Sequence, residues 1–590
     1  MHIRNLMITS RPVAHGAKGC GAPDKSGSKL WNRPRPSAQT WLMQRAPLWK
    51  FFILNHCVVL ACVSGLGLGC AQAAIFNVKD YGASGKKSED ARPAIQKTIE
   101  ACAAGGGGTV LLPRGEYTSG TLHLRSRVRL EIAAGATLFA STNEAAYDYG
   151  TIASTAALLT GKNLEDVTIT GAGTLDGQAA YEWRDDDVEH SFDHKDRMMA
   201  AGKSIRRSFP VGLPQRKVFP HLLFLSGCKG VNLTGLKWLH SPSWSITLYA
   251  CEQARLEGLY VYTSLQDAVW ADGLDLDGCK DISIERCTIE TGDDCIIFIS
   301  TGVWGPARRC ENITVANCRL SSASAGIKFS EGNFAGVRNI TVRDCVLTNV
   351  NRGLVFYTIQ GGDISDVVVS NLTIHCNRFD WFWAGDGQPF HFRVMRLSEW
   401  NRQPLSATEP VPGVMRRITI RDVTAHGKGS SLVYGHGESW LEGISFENVK
   451  LWLSTDPGAA YDTATNALNF RYARNLKLKN VSVNWERPFL QAWQSALSFK
   501  DIEGLELDGF SGRQAWPDRD APAVLFNNVT NASVTRASAA EDTQLFLQAG
   551  PGSRAIRVYG NDFRRAKVPW QIDPSVPTNA VVVQENRLPE

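Results

Sequence analysis

A nine-residue phrase recurs along most of the chain and constrains the possible folds more than any other feature. Each copy alternates apolar and polar residues, which is the period-2 pattern of a half-buried β-strand. Most copies lie about 23 to 32 residues apart, within the range of solenoid repeats. The copies are LEDVTITGA at Leu164, CKGVNLTGL at Cys228, CEQARLEGL at Cys251, CKDISIERC at Cys279, CENITVANC at Cys310, VRNITVRDC at Val337, ISDVVVSNL at Ile364, MRRITIRDV at Met415, LEGISFENV at Leu441, ARNLKLKNV at Ala473, IEGLELDGF at Ile502 and VTNASVTRA at Val529.

Helical periodicity is nearly absent outside one short segment, Ala91 to Ala104, which follows the polar start Ser88-Glu89-Asp90. Short strands that are joined by tight turns and stacked by parallel pairing predict an all-β chain wound into a right-handed parallel β-helix. We expect the early helix to cap the N-terminal end, because an open end of stacked strands would pair with other chains. A propeller is the alternative fold, but its blades would give longer repeat units.

Residues 1–73 are predicted to be an N-terminal extension that ends in an export signal. Arg45 and Lys50 precede an apolar run, Phe51–Gly69, and the small-x-small pattern Ala71-Gln72-Ala73 follows it. This arrangement is typical of a signal peptide with a cleavage site. The mature protein is therefore expected to be exported, to the periplasm or the extracellular medium.

Two other interpretations of the apolar run stay open. Its length approaches that of a transmembrane anchor, although Asn55 and His56 lie within it. A lipoprotein signal that uses Cys70 is the second alternative. We expect no stable membrane insertion once the signal has been cleaved.

Residues 74–590 are predicted to form a single β-helix domain, because no linker separates a second domain. Two insertions break the repeat, one near residues 181–218, which is dense in charge, and one near residues 377–414, which is rich in Trp. We expect both to be loops beside the working face, where function concentrates. The net charge of +5 is too small for this length to predict a nucleic-acid partner. We expect a monomer.

The 14 cysteines are compatible with an oxidising compartment. Cys279 and Cys310 occupy one repeat position, and Cys287, Cys318 and Cys345 occupy another. Rungs about 4.8 Å apart would bring such columns near disulfide reach. A ladder of buried thiols is the alternative, and the sequence leaves both open.

Three carboxylates gather within about one turn of the repeat. Asp272-Gly273 precedes a strand-like run, Asp281–Ile289, and the adjacent pair Asp293-Asp294 follows it. Stacked rungs would bring these carboxylates together, and two opposed carboxylic groups are the minimum for cleaving a glycosidic bond. In such a cluster one pKa rises, so that one group keeps a proton to donate while the others activate water. Calcium binding, or solvation of a turn, is the alternative interpretation.

The segments FNVKDYGASG, GGGGTVLLPRGEYTSGTLHL, GAGTLDGQ and HSPSWSITLYAC resemble bacterial members of glycoside hydrolase family 28, the polygalacturonase family. The resemblance runs from about Ile75 to at least Val449. The family's Asn-Thr-Asp-Gly motif is similar to Trp270-Ala271-Asp272-Gly273, and its Gly-Asp-Asp motif is similar to Gly292-Asp293-Asp294.

This resemblance implies the pectin-lyase-like form of the β-helix, inversion at the anomeric carbon, and no metal or other cofactor. It implies that Asp293 is the general acid and that Asp272 and Asp294 hold and activate the attacking water. In an inverting site the acid and the base lie about 6.5 to 9.5 Å apart.

Two departures from the family pattern concern sugar binding. Ser324-Ala325-Gly326 stands where the family has Gly-His-Gly, and Val355-Phe356-Tyr357 stands where it has Arg-Ile-Lys, the motif that grips the sugar carboxylate. A literal Gly435-His436-Gly437 occurs several coils later and is interpreted as a turn or rim element. The basic residues predicted to substitute in substrate binding are Lys328, Arg352, His391 and Arg393. The aromatic candidates for stacking on sugars are Trp244, Trp304, Trp381 and Trp383.

The sequence therefore predicts a polygalacturonase-like glycoside hydrolase that cleaves a pectin-type polysaccharide by inverting acid–base hydrolysis. The loss of the Arg-Ile-Lys cations favours one alternative, a hydrolase of rhamnogalacturonan or another polysaccharide. A polysaccharide lyase, which would need a Lys or Arg base and usually calcium, and a non-catalytic carbohydrate-binding protein are the remaining alternatives.

Overall fold

The computed structural model describes residues 74–148, 155–185, 206–210, 219–379, 385–401, 404–407, 409–456 and 464–590. The predicted export signal lies outside these ranges, as do Trp381, Trp383 and much of the first predicted insertion. None of the helices within these ranges is long and apolar enough to cross a bilayer.

Helices are few and lie outside the repeats. Helix α1 spans Arg92–Ala104 and follows a 3-10 turn, Val78–Tyr81. Pro93 lies in its first turn, where the missing N–H leaves no helical hydrogen bond unmade. Helix α1 packs against the first strands of the stack, so the predicted helix lies at the N-terminal coil, where a cap is needed. A short helix α2, Leu397–Asn401, and a 3-10 turn, Glu144–Ala146, are the other helical segments described.

The strands form one continuous stack and one separate hairpin. Up to the first strand that follows the acid motifs, the strands are Ile75–Asn77, Gly108–Leu112, Gly115–Ser119, Leu122–His123, Val128–Ile132, Ala136–Ala140, Ala157–Lys162, Glu165–Gly171, Thr174–Asp176, Tyr181–Asp185, Arg206–Pro210, His221–Ser226, Lys229–Thr234, Lys237–Leu239, Ile246–Tyr249, Glu252–Glu257, Tyr260–Tyr262, Leu274–Asp277, Lys280–Glu285, Thr288–Thr291 and Ile296–Ser300. Beyond it, the strands are Cys310–Ala316, Arg319–Asn333, Val337–Thr358, Asp363–Cys376, Gln388–Val394, Val414–Gly427, Ser431–Tyr434, Leu441–Leu453, Leu468–Lys479, Ser482–Trp485, Leu497–Asp508, Ser511–Gly512, Pro522–Thr535, Ser538–Ala539, Thr543–Ala549, Arg554–Tyr559, Ala566–Ile572 and Val581–Gln584.

Each strand of the stack pairs in parallel with its counterpart one coil away. The strand Leu274–Asp277, for example, pairs with Ile246–Tyr249 on one side and with Ile296–Ser300 on the other. This register confirms the predicted parallel β-helix and excludes a propeller, whose strands pair within a blade. The coil is right-handed, as parallel crossover connections are.

The two predicted insertions differ in structure. The described part of the first forms an antiparallel hairpin between Tyr181–Asp185 and Arg206–Pro210. Part of the second is a regular rung: Gln388–Val394 pairs in parallel with strands on both sides. The prediction of a loop there was therefore wrong for this strand, because Trp-rich flanking segments obscured a short apolar alternation.

Asparagine and aspartate at the bends are stacked from coil to coil. Asp281, Asn312 and Asn339 all adopt positive φ angles of 55° to 59°. The side-chain amide of Asn339 donates to Asn312 at 2.8 Å, and that of Asn312 donates to Asp281 at the same distance. Short polar side chains tolerate this backbone conformation and bond locally, which explains their recurrence at the third position of these phrases.

Of the two alternatives for the cysteines, disulfides or a ladder of buried thiols, the structure supports the thiols. All ten described cysteines are free and buried. The thiol of Cys345 lies 3.5 Å from the backbone nitrogen of Cys318, one coil away. These side chains therefore act as small apolar residues that fill the core at the bends.

Phenylalanines stack through the core beside the acid motifs. The ring centroids of Phe298 and Phe329 lie 5.1 Å apart, those of Phe329 and Phe356 lie 4.2 Å apart, and those of Phe356 and Phe392 lie 4.1 Å apart. All four rings are fully buried. The column ties together the rungs on which the acid motifs and their neighbours lie.

We expect Phe356→Ala to lower the free energy of unfolding by about 3 to 5 kcal/mol, because the substitution leaves a cavity between two stacked rings. Urea unfolding followed by circular dichroism would measure this change. Tyr559→Ala, at a site that is 52% exposed, is the control and should change stability by less than about 0.5 kcal/mol. Equal effects of the two substitutions would contradict the stacking argument.

Candidate active site

Asp272, Asp293 and Asp294 meet at the leading ends of two neighbouring rungs. The backbone N–H of Gly273 donates to the carbonyl of Asp294 at 2.9 Å, which fixes one acid turn against the other. One oxygen from each of the three carboxyl groups lies within 4.8 Å of the others. All three residues are buried, with exposures of 4%, 6% and 2%. The predicted convergence of the three acids is present in the structure.

The acid turn is held by its surroundings. A Cβ at Gly292 would lie 2.3 Å from the carbonyl oxygen of Ala268, so only glycine fits this bend. The hydroxyl of Ser322 donates to the carbonyl of Asp293 at 2.6 Å. The backbone N–H of Asp294 donates to Oδ1 of Asp272 at 2.7 Å. The bend and these bonds allow two adjacent aspartates to face one site.

Lys328 lies on the following rung and contacts an acid directly. Its Nζ is 2.9 Å from Oδ2 of Asp294, and the two side chains are only 10% and 3% exposed. The strand register places Lys328 between Ile297 and Val355. Lys328 is therefore not on a solvated strand face, and its observed partner is a carboxyl group of the protein.

Asp275 is a fourth buried carboxyl group, which the sequence analysis did not single out. It is fully buried, and within the described ranges no N–H or O–H group hydrogen-bonds either of its oxygens. The neighbour within hydrogen-bonding reach is the carboxyl of Asp272, so a bond between them requires a shared proton. The signal was the strand LDLD, in which Asp275 and Asp277 alternate with buried leucines.

Burial and mutual repulsion shift the titration of these acids. Burial raises the pKa of Asp272 well above its usual value, and the charges of Asp275 and Asp294 add to the effect, while Lys328 opposes it. Burial likewise raises the pKa of Asp275, with Asp294 and Asp293 adding to it. The pair Asp272–Asp275 therefore holds a proton, while the carboxyl group of Asp294 contacts the Lys328 ammonium.

Asp277 has a structural role on the same strand. Burial raises its pKa to about 6, although hydrogen bonds from Thr301 oppose the shift. The backbone N–H of Thr301 donates to Oδ1 at 2.9 Å, and the Thr301 hydroxyl donates to Oδ2. Asp277 thus anchors the loop that carries Trp304.

The three clustered carboxylates are also a candidate group for a cation. A calcium ion takes about six to eight oxygen ligands. Here the Lys328 ammonium already supplies a positive charge against Asp294. The donor set therefore fits a metal poorly, and no metal is assigned to it.

Aromatic side chains line the rungs before the acids. Trp244 and Trp304, both half-buried, meet edge to face with ring centroids 5.6 Å apart. Trp304 also meets Phe224 at 5.4 Å, and Trp244 meets His221 at 5.6 Å. Two of the four predicted tryptophans therefore lie together, and the other two lie outside the described residues.

The rungs after the acids begin with an apolar cluster, which consists of Ala325, Val355, Tyr357, Ile359 and Met395. Three of its members, Ala325, Val355 and Tyr357, stand at the positions where the sequence departs from the family pattern. The strand register puts His391 beside Val355 and Arg393 beside Tyr357, one rung further from the acids.

The other predicted residues are also placed. The Tyr357 hydroxyl and Nδ1 of His391 are 3.4 Å apart. Arg352 is half-buried and lies in register with Ala325. His436, in the motif Gly435-His436-Gly437, lies in a turn that is closed by a backbone bridge between His436 and Ser439. Its Nε2 contacts Glu399 at 3.0 Å. The motif is therefore a turn element, as predicted.

The comparisons report which known proteins share this parallel β-helix and its acid motifs. Residues 211–376 match the profile described as "Glycosyl hydrolases family 28". Residues 75–174 match the profile described as "Rhamnogalacturonase A/epimerase, pectate lyase-like". The family 28 profile thus matches the part of the chain that carries Asp272, Asp293 and Asp294, in agreement with the resemblance that the motifs predicted.

Individual relatives agree with this match. An exopolygalacturonase from Zea mays is 25% identical over 247 residues, which cover 41% of this chain and 52% of the relative. The chain thus spans about half the length of the curated relatives it matches. The solved family 28 exopolygalacturonase from Yersinia enterocolitica has a TM-score of 0.57 and 19% identity, and the match covers 74% of this chain and 79% of that one. An exopolygalacturonase from Thermotoga maritima has a TM-score of 0.52 and 21% identity, with coverages of 70% and 92%.

We expect Asp275→Asn to stabilise the protein increasingly as the pH rises from about 4 to 8. The raised pKa means that wild-type stability falls above the unfolded-state pKa of about 3.9, by up to about 1.4 kcal/mol per pH unit. Asparagine removes this penalty and can donate to Asp272. Thermal unfolding across this pH range would measure the difference, with the exposed Asp520→Asn as the control. A difference that does not vary with pH would contradict the shared-proton assignment.

Proposed function

We propose that the protein is a glycoside hydrolase that cleaves a pectin-type polysaccharide, in the manner of a polygalacturonase. The observation that carries this proposal is the convergence of Asp272, Asp293 and Asp294 within 4.8 Å in a buried setting. The match of residues 211–376 to the family 28 profile and the exopolygalacturonases among the relatives support it. A non-catalytic carbohydrate-binding protein would gain nothing from several buried carboxyl groups, which are costly unless they are used.

In the proposed reaction, Asp293 donates its proton to the glycosidic oxygen as the bond to the anomeric carbon breaks. Asp294, whose Oδ2 contacts the Lys328 ammonium, accepts a proton from water while the water oxygen bonds to that carbon. Asp272 bonds the backbone of Asp294 and faces the same water. The products are a new reducing end and a free hydroxyl group on the leaving sugar.

The spacing of the acids differs from the expectation. Their nearest oxygens lie within 4.8 Å, which is closer than the about 6.5 to 9.5 Å of most inverting glycosidases. Inversion is therefore proposed from the family resemblance, and the spacing does not carry it.

A hydrolase of rhamnogalacturonan or another mixed polymer is the second candidate. The rung after Lys328 presents Val355 and Tyr357, which cannot neutralise a sugar carboxylate, whereas His391 and Arg393 come one rung later. A sugar chain that follows the rungs would then reach the rung of Val355 and Tyr357 before the rung of His391 and Arg393. The profile named for rhamnogalacturonase, matched by residues 75–174, favours the same candidate.

We infer further that a polysaccharide is the partner, that the protein works as a monomer, and that it is exported. The apolar run and the Ala-x-Ala pattern before residue 74 support export to the periplasm or the extracellular medium. Polymeric pectin lies outside the cell that degrades it, which agrees with this location.

We expect Asp293→Asn to abolish turnover, with a loss of at least about 100-fold, and to leave folding and substrate affinity nearly unchanged, because it removes a proton donor at constant volume. Reducing-end release from pectic polymers would measure turnover, and Asp520→Asn is the control. Proton NMR of fresh product should give the inverted anomer. Near-normal turnover in Asp293→Asn would refute the acid assignment. Calcium-dependent formation of unsaturated products, detected by their ultraviolet absorbance, would indicate a lyase instead.

We expect rhamnogalacturonan to be hydrolysed faster than polygalacturonate, because Val355 and Tyr357 leave a neighbouring sugar carboxylate without a cation. Initial rates on both polymers at equal mass concentration would test this. Val355→Arg should raise the relative rate on polygalacturonate, and Val355→Leu is the matched control. Faster cleavage of polygalacturonate by the wild type would contradict the prediction.

A further inference from the structure

Lys328 faces the acid cluster from the next rung and lies in the same strand as Ala325. Its Nζ contacts Oδ2 of Asp294 at 2.9 Å, in a setting where both side chains are at least nine-tenths buried. The titratable or charged groups on the strands and turns around this contact are Asp272, Asp275, Asp277, Asp293, Cys295, Arg352, Tyr357 and His391.

The cluster must distribute protons among several buried carboxyl groups. Like charges at this separation cannot all be ionised, and a cation in contact selects which group carries the charge. Oδ2 of Asp294 is the oxygen that Lys328 contacts, while Asp272 and Asp275 face each other. The Lys328 ammonium therefore distinguishes the carboxyl group of Asp294, which it contacts, from the other carboxyl groups of the cluster.

We propose that Lys328 is a positioning residue that fixes the negative charge on Asp294 and so makes Asp294 the base of the reaction. This inference rests on the proposed hydrolase function and deepens it. It gives Lys328 a different task from gripping a sugar carboxylate, the role expected from the sequence. It also explains how the site works with Ala325 in the place of a histidine, since the positive charge reaches the acids from Lys328 in the same strand.

The test compares Lys328→Met, Lys328→Arg and, as a matched control, Lys500→Met, which alters an exposed lysine of the same sheet. The full-length protein is assayed on the polymer it cleaves best, from about pH 3 to pH 9. Without the ammonium, Asp294 takes up a proton at higher pH. The acid limb of the kcat profile in Lys328→Met should therefore move up by about 1 to 3 pH units, with recovery of rate at alkaline pH. KM should change less than 3-fold, and Lys328→Arg should restore the profile.

Two results would overturn the inference while leaving the hydrolase function intact. One is an acid limb that does not move in Lys328→Met. The other is a rise in KM at unchanged kcat, which would indicate that Lys328 binds the substrate. A wild-type protein that cleaves no pectic polymer would instead refute the proposed function.

A second measurement tests the inference without an activity assay. It uses two substitutions, so that the test does not depend on the folding of one variant. The melting temperatures of Lys328→Met and Lys328→Gln are compared with that of the wild type across the same pH range. The ion pair stabilises the protein only while Asp294 is ionised, so the loss of stability should be greatest near pH 7 and should vanish at acid pH. A loss that is independent of pH would refute the assignment of the charge to Asp294.

Discussion

The in-register parallel pairing of consecutive coils is the constraint on which the rest of the structure depends. Each rung repeats the positions of the rung before it, so a residue type recurring in the sequence becomes a column in space. The asparagine bends, the buried thiols and the stacked rings of Phe329 and Phe356 are all such columns. Columns reinforce one another because a slip of one residue would turn every apolar side chain outward.

The same register gives the face with the acids its chemistry. Motifs 22 residues apart in sequence, at Asp272 and Asp294, become hydrogen-bonded neighbours. The rungs before them bring aromatic rings, and the rungs after them bring Lys328 and then an apolar cluster. This part of the stack thus carries aromatic, acidic, apolar and basic side chains on neighbouring rungs.

Much of this organisation could be predicted from local patterns. The period-2 phrases gave the strands, the short helical segment gave helix α1, and the two acid motifs gave the cluster, because each signal lies within a few residues. The rung Gln388–Val394 was missed, since its apolar alternation is short and lies within an irregular segment. Asp275 was missed because one aspartate in an apolar strand has no motif of its own.

The sequence by itself determined the coil, the columns and the convergence of Asp272, Asp293 and Asp294, since these follow from repeats and spacing that need no partner. Only the tertiary structure decided how the charges are paired. Lys328 is 34 residues from Asp294 along the chain, and the two meet because the strand of Lys328 pairs in parallel with the strand that follows Asp294. The protonation of Asp272 and Asp275 likewise depends on burial and on which groups face them, and no single stretch of sequence carries that information.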